Sequence, residues 1–208
     1  MKAKLLPAMI SVVLAGGMGA AQADVQIMGH IDTSIVSYDD DTSGPGSDDV
    51  NFRCTTCSIG FKGSEDLGNG LKAIFKLDYQ FDMINRNRND AVFDRDQWVG
   101  LKGGFGQVRV GTISTVYKSH GAKIDPLYRT VLQGRDNGLQ SSFHRGAGEE
   151  LQGRADNTVR YDSPSFNGLK VGAFYTLDSD ETDGEDEDPF GIGASYSNGG
   201  IYVFADYM

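Results

Sequence analysis

Between Leu71 and Asp82 the chain alternates with a period of two: Leu71, Ala73, Phe75, Leu77, Tyr79 and Phe81 fall on one side, and Lys72, Lys76, Asp78, Gln80 and Asp82 on the other, with Ile74 the one exception. Successive side chains of a strand point to opposite faces, so this stretch is a strand with one apolar and one charged face. The same alternation recurs over Val25–Ile35 and Leu169–Leu177, and strands are also expected at 58–62, 93–102, 107–115, 157–163, 190–197 and 201–208. Around Asp94–Lys102 the alternation breaks down and the faces cannot be assigned. About nine strands and no helix are expected.

The connections constrain the fold further. In chain order they are 39–52, 64–70, 83–92, 103–106, 116–156, 164–168, 178–189 and 198–200, and long and short alternate throughout. An up-and-down antiparallel meander with tight turns at one end and long loops at the other is the arrangement of a transmembrane β-barrel, whereas a secreted β-sandwich has no reason to sort its loops by end. Mean hydropathy of −0.35 does not oppose this, because a barrel carries its lipid face in every second residue. Glycine is abundant at 28 and proline scarce at 5, which suits turns and close strand packing.

The N-terminus carries Lys2 and Lys4, an apolar stretch from Leu5 to Ala20, and Ala21-Gln22-Ala23. Residues 1–23 therefore read as a secretory signal peptide, the apolar run being too short and too rich in glycine for a membrane anchor. A formal net charge of −10 argues against a nucleic-acid partner, which would want a basic face.

Three spaced motifs carry a family resemblance. Residues 57–73 (CSIGFKGSEDLGNGLKA), then 93–101 (FDRDQWVGL) with Gly104-Phe105-Gly106 and Val110-Gly111, then 157–164 (NTVRYDSP) through Gly168-Leu169 resemble consecutive hairpins of the general diffusion porins of Gram-negative outer membranes. The resemblance covers essentially all of residues 24–208. It implies an all-β, antiparallel up-and-down transmembrane β-barrel of sixteen strands, a homotrimer in outer-membrane lipid and lipopolysaccharide, and a channel for ions and small hydrophilic solutes without a cofactor. It also implies that 116–156 is a constriction loop. At about 20 residues for each strand and its connection, sixteen strands need roughly 320 residues, so the chain is expected to be the N-terminal portion of such a barrel. A surface barrel or secreted β-domain acting as an adhesin is the alternative.

A diffusion pore needs a polar lumen, a constriction and charges that set a field, not a catalytic group. Parity puts Lys72, Lys76, Asp78, Arg109, Arg160 and Asp162 on the inner face, and the resemblance adds Arg95 as a wall arginine. Within the long loop Asp125, Glu149 and Glu150 are candidate constriction acids. Where the resemblance leads one to expect arginines, just before Ile59 and after Gly111, the chain has Ser58 and Thr112.

Cys54 and Cys57 form a C-x-x-C pair in an exported chain. Residues i and i+3 of an extended strand lie about 10 Å apart, too far for a disulfide, so a local Cys54–Cys57 bridge requires a turn with the strand beginning near Ser58. Zinc would need further ligands at metal spacing, and His30, His120 and His144 do not supply them. The acidic run 178–188 has Asp183 where an EF-hand needs glycine and Pro189 where it needs glutamate, so it reads as a solvated loop. No nucleophile-elbow signature is present, and no enzyme activity is expected.

Overall fold

The computed structural model describes residues 24–38, 49–84, 93–134, 153–177 and 190–208. The expected signal peptide, the acidic run 178–188 and residues Glu149 and Glu150 lie outside them. Among the described residues the strands are β1 (Asp24–His30), β2 (Thr33–Tyr38), β3 (Asp49–Cys54), β4 (Ser58–Gly68), β5 (Leu71–Gln80), β6 (Phe93–Gly103), β7 (Gly106–Ser114), β8 (Arg154–Asp162), β9 (Leu169–Thr176), β10 (Phe190–Asn198) and β11 (Ile201–Tyr207), and a helix, α1 (Val116–Ile124), follows β7. Nine strands form one antiparallel sheet in the order β1-β4-β5-β6-β7-β8-β9-β10-β11, while β2 and β3 pair separately. The meander expected from the sequence is therefore present, with β1 and β11 as its two edges.

The short turns sit at one end of the sheet. Between β4 and β5 the register shifts at Asp66/Gly68, and Gly68, Asn69 and Gly70 all adopt positive φ (86°, 53° and 77°). Two glycines and an asparagine are the residues that tolerate this backbone, which is why the turn can be so tight.

The two faces of the sheet invert the pattern of a water-soluble protein. One parity on each strand is apolar and exposed: Val25 and Ile27 on β1, Ile59 and Phe61 on β4, Val99 and Leu101 on β6, Val108 and Val110 on β7, Ile201 and Val203 on β11. The other parity is polar and covered, with Ser58, Asp78, Thr158, Arg160 and Ser195 all buried, and Arg95 joins them across an irregularity in the β5–β6 register. An apolar surface of this extent marks contact with a nonpolar phase, and alternation around a polar interior is how a barrel meets lipid. Val99 lies mid-strand on β6, between Phe75 of β5 and Val110 of β7. We expect Val99→Arg in the full-length protein to lower its folding stability in bilayers by about 2–4 kcal/mol, measured by reversible urea titration, whereas Ser64→Arg on the inner face changes it by less than about 1 kcal/mol. Equal losses at both positions would mean that the face assignment is wrong.

The structure corrects the sequence reading in three places besides the ends of strands, β4 running on to Gly68 where a connection was expected over 64–70. The strand expected over Val25–Ile35 breaks at Ile31–Asp32, because the Asp32 carboxylate accepts the Thr56 backbone N–H at 2.9 Å and the Thr56 hydroxyl. The connection expected over 39–52 contains β3, whose register with β2 runs from Thr33↔Cys54 to Tyr38↔Asp49. The third correction is α1, inside a loop expected to have no helix. Thr115 caps it by accepting the Lys118 N–H, and Lys123 stands in its last turn. Its buried residues are Val116, Lys118, His120 and Gly121, so it has no apolar stripe for a periodicity argument to detect.

Candidate functional site

The inner face carries its charges in two groups. The first grows out of a β-bulge. The β5–β6 register shifts between Leu77 and Tyr79, so that Arg95 and Asp96 together oppose Asp78. Two residues against one lets consecutive side chains reach the same face. Lys76 Nζ lies 3.2 Å from Asp78 and 3.4 Å from Asp96, and Arg95 Nε lies 3.5 Å from Asp78. Asp96 also accepts Arg154 Nε at 3.0 Å and the Ser114 hydroxyl at 2.7 Å, which ties the start of β8 to the wall. Arg95 donates to Gln80 Oε1 at 3.0 Å and to the Thr56 carbonyl at 3.3 Å.

The second group joins β7, β8 and α1. Asp162 accepts Arg160 at 2.7 Å and Arg109 on its other oxygen. Arg160 reaches on to the Ser119 hydroxyl at 2.8 Å and to the Ser114 carbonyl, so a wall arginine holds the helix. Arg109 in turn lies over the Trp98 ring, 5.0 Å from its centroid. Each carboxylate, Asp78, Asp96 and Asp162, thus stands between two cations, and the guanidinium forks of Arg95 and Arg160 are fixed in place by more than one partner each.

Helix α1 lies against the inner face of β9, β10 and β11. Val116 packs on Phe174 and Met208, His120 Nδ1 lies 2.7 Å from Asp206 Oδ1, and Lys123 sits over the Tyr202 ring. Two glycines make the room. A Cβ on Gly172 would stand 2.7 Å from Val116 Cγ1, and one on Gly193 would stand 2.0 Å from Asp206 Oδ1 and 3.3 Å from the His120 ring. Burial raises the pKa of the Tyr117 phenol on this helix, with Asp206 adding to the effect, so it remains a neutral hydroxyl.

Of the residues singled out in the sequence, Lys76, Asp78 and Arg95 meet in the first group, and Arg109, Arg160 and Asp162 in the second. Lys72 is exposed near the short-turn end, opposite Lys102. Asp125 follows α1 and accepts the backbone N–H groups of Leu127 and Gly134, both within the loop, rather than facing an arginine of the wall. Sequence reasoning missed Asp96, Arg154, Ser119 and the His120–Asp206 pair. The broken alternation at 94–102 was itself the signal for Asp96, and even parity against Ile201 and Val203 was the signal for Asp206. Cys54 and Cys57 are bonded, with Cα atoms 5.7 Å apart in the turn between β3 and β4.

Known proteins with this arrangement agree with one another. The model of the Gram-negative porin family matches residues 8–208. The major outer membrane protein P.IB of Neisseria gonorrhoeae is 32% identical over 94% of this chain and 54% of its own length, and that of Neisseria lactamica is 32% identical over 94% and 56%. The chain spans about half the length of these relatives. Among solved structures, an anion-selective porin from Comamonas acidovorans superposes with a TM-score of 0.70 at 28% identity, over 88% of this chain and 56% of that one. A loop-deletion mutant of a Vibrio cholerae outer membrane protein gives 0.64 at 16% identity, over 88% and 52%, a likeness of fold alone. The lipid-type outer face, the paired charges inside and the family match converge: this is an outer-membrane chain of the Gram-negative porin family.

Proposed function

We propose that the full-length protein forms a water-filled channel through the outer membrane, passing ions and small hydrophilic solutes by passive diffusion, with α1 and the rest of 116–156 narrowing it. One observation carries this reading: a helix whose buried side includes Lys118 and His120 is held against the polar face of a sheet whose other face is exposed and apolar. Such a helix has little apolar core to join, Val116 on Phe174 and Met208 being its one hydrophobic anchorage. It fits a lumen, where it reduces the cross-section and brings charges opposite the wall.

Lys76, Asp78, Arg95, Asp96 and Arg154 form one charged wall, and Arg109, Arg160 and Asp162 a second that also fastens the helix. These groups neutralise and orient each other, and passive diffusion calls for no catalytic step. Outer-membrane lipid and lipopolysaccharide on the apolar face, and a homotrimeric assembly, belong to the same proposal. Planar-bilayer recordings of the full-length protein should show stepwise conductance in potassium chloride. Correctly assembled protein that gives no steps would overturn the channel.

A further inference from the structure

The turn between β3 and β4 is closed by the Cys54–Cys57 bridge and holds two residues inside it, Thr55 and Thr56. Both of their carbonyls are used on the same side. The Thr56 carbonyl accepts Arg95 Nη1 at 3.3 Å, and the Thr55 carbonyl accepts Gln80 Nε2 at 3.4 Å. Gln80 holds the same guanidinium through its side-chain oxygen, which accepts Arg95 Nη1 at 3.0 Å. Both of these contacts at Nη1 therefore lead back to the bridged turn. On its other side the turn is anchored by Asp32, whose carboxylate accepts the Thr56 N–H at 2.9 Å and the Thr56 hydroxyl, while His30 Nε2 lies 3.0 Å from that hydroxyl. Two consecutive threonines are poor turn formers, since branched side chains favour extended backbone. In extended backbone successive carbonyls point to opposite edges, and residues i and i+3 stand about 10 Å apart. Here the two Cα atoms are 5.7 Å apart. The bridge is what keeps this stretch folded so that both carbonyls meet the wall.

We propose that the Cys54–Cys57 disulfide is a positioning element for Arg95, fixing where this wall charge stands and making its placement sensitive to a reductant. The effect on permeation rests on the channel reading; the effect on Arg95 does not. With the turn released, Asp78, 3.5 Å from Nε, remains beside the guanidinium, and one such contact leaves a long side chain several rotamers. A reductant has a way in. A cavity of about 510 Å³ beside β3 is lined by Cys54 together with Arg53, Thr55, Asp82 and Val131, whereas Cys57 is fully buried. A water-soluble trialkylphosphine attacks Cys54 Sγ, and the S–S bond breaks with Cys57 leaving as a thiolate. Water then hydrolyses the phosphonium: the phosphine is oxidised to its oxide, and the two sulfurs take up the two protons of that water as thiols.

The test treats the full-length protein in detergent with phenylglyoxal, before and after reduction by a trialkylphosphine, and follows each modified arginine by mass spectrometry. Reduction should speed the modification of Arg95 by about fivefold, the factor for one net hydrogen bond. Arg160, held by Asp162 and Ser119 in the second group, should keep its rate. Alkylation of the freed thiols reports that the bridge has opened. The double variant Cys54→Ser, Cys57→Ser should show the fast Arg95 rate without reductant, and it supplies the open turn where the phosphine does not reach the bridge. In planar bilayers the reversal potential in a salt gradient should shift on reduction and return on reoxidation. Arg95→Gln should abolish that response, which mere loosening of the turn would leave in place. Equal Arg95 rates with the bridge closed and open, or a shift in reversal potential as large in Arg95→Gln as in wild type, overturns the positioning. Protein whose Arg95 responds but that does not conduct keeps the positioning and removes the channel; protein that conducts while Arg95 does not respond removes the positioning and leaves the channel.

Discussion

In the full-length protein, Gly172→Leu is expected to raise single-channel conductance by about twofold, because a side chain at that position and the N-terminal turn of α1 cannot share the same space. A Cβ alone would stand 2.7 Å from Val116 Cγ1 and 3.2 Å from Asp162 Oδ1, and leucine adds three more carbons in the same direction. The strand cannot yield, since β9 is paired on both sides, to β8 and to β10. The helix can. Its apolar anchorage is small, Val116 on Phe174 with Met208 alongside, and its remaining ties are polar. A helix with its side chains is about 10–12 Å across, a large share of any lumen that a single chain encloses, so shifting it off the wall changes the open area substantially. The competing outcome is that leucine merely fills the lumen and conductance falls; that result, or no change, would mean that α1 accommodates the substitution in place. Adding Val116→Ala to Gly172→Leu tests the cause, because removing the opposing methyl groups should return conductance towards the wild-type value.

The same segment shows why the sequence disclosed the sheet more readily than the site. Strands that contact lipid on one face and water on the other must alternate, and the run from Leu71 to Phe81 states both faces at once. Nothing comparable constrains α1. It is half wet, two of its four buried residues are Lys118 and His120, and Gly121 lowers its propensity, so neither period nor composition announced a helix. The bulge on β6 hid Asp96 in a similar way: parity arguments assume one register along a strand, and the extra residue reverses the faces at Arg95/Asp96. Where no bulge intervenes, parity succeeded. Arg160 and Asp162 on β8 and Arg109 on β7 were placed on one face by counting, and they lie there in contact. The absence of arginine at Ser58 and Thr112 made the basic side of the interior look depleted, yet Arg109 and Arg160 supply guanidinium groups a few residues away. The β2–β3 hairpin was missed because Val50 and Phe52, flanked by Asp49 and Asn51, are too short an alternation to stand apart from a polar loop.

Asp162→Asn is expected to shift the full-length channel towards anions, raising the anion-to-cation permeability ratio by about threefold as read from reversal potentials in a salt gradient. Asp162 is the one carboxylate shared by Arg109 and Arg160, and it also lines a cavity beneath α1 together with Lys102, Lys123 and Lys170. Removing its charge leaves five cations around this part of the interior without a counterion among those residues. A unit charge about 5 Å from a permeating ion is worth roughly 0.8 kcal/mol in water, which ionic screening reduces further; acting with opposite sign on anions and cations, this gives a ratio change of about threefold rather than orders of magnitude. Asparagine keeps the shape and can still accept from Arg160, so the ring of contacts to Ser119 and the seat of α1 should persist. Conductance in symmetric salt should then change little. That combination separates electrostatics from gating: a large rise in conductance would show that Asp162 acts by holding the helix through Arg160, and an unchanged reversal potential would place the group away from the ion path. Screening supplies a further check, because the selectivity difference between wild type and variant should shrink as salt is raised from about 0.1 M to 1 M, over which the Debye length falls from about 10 Å to 3 Å.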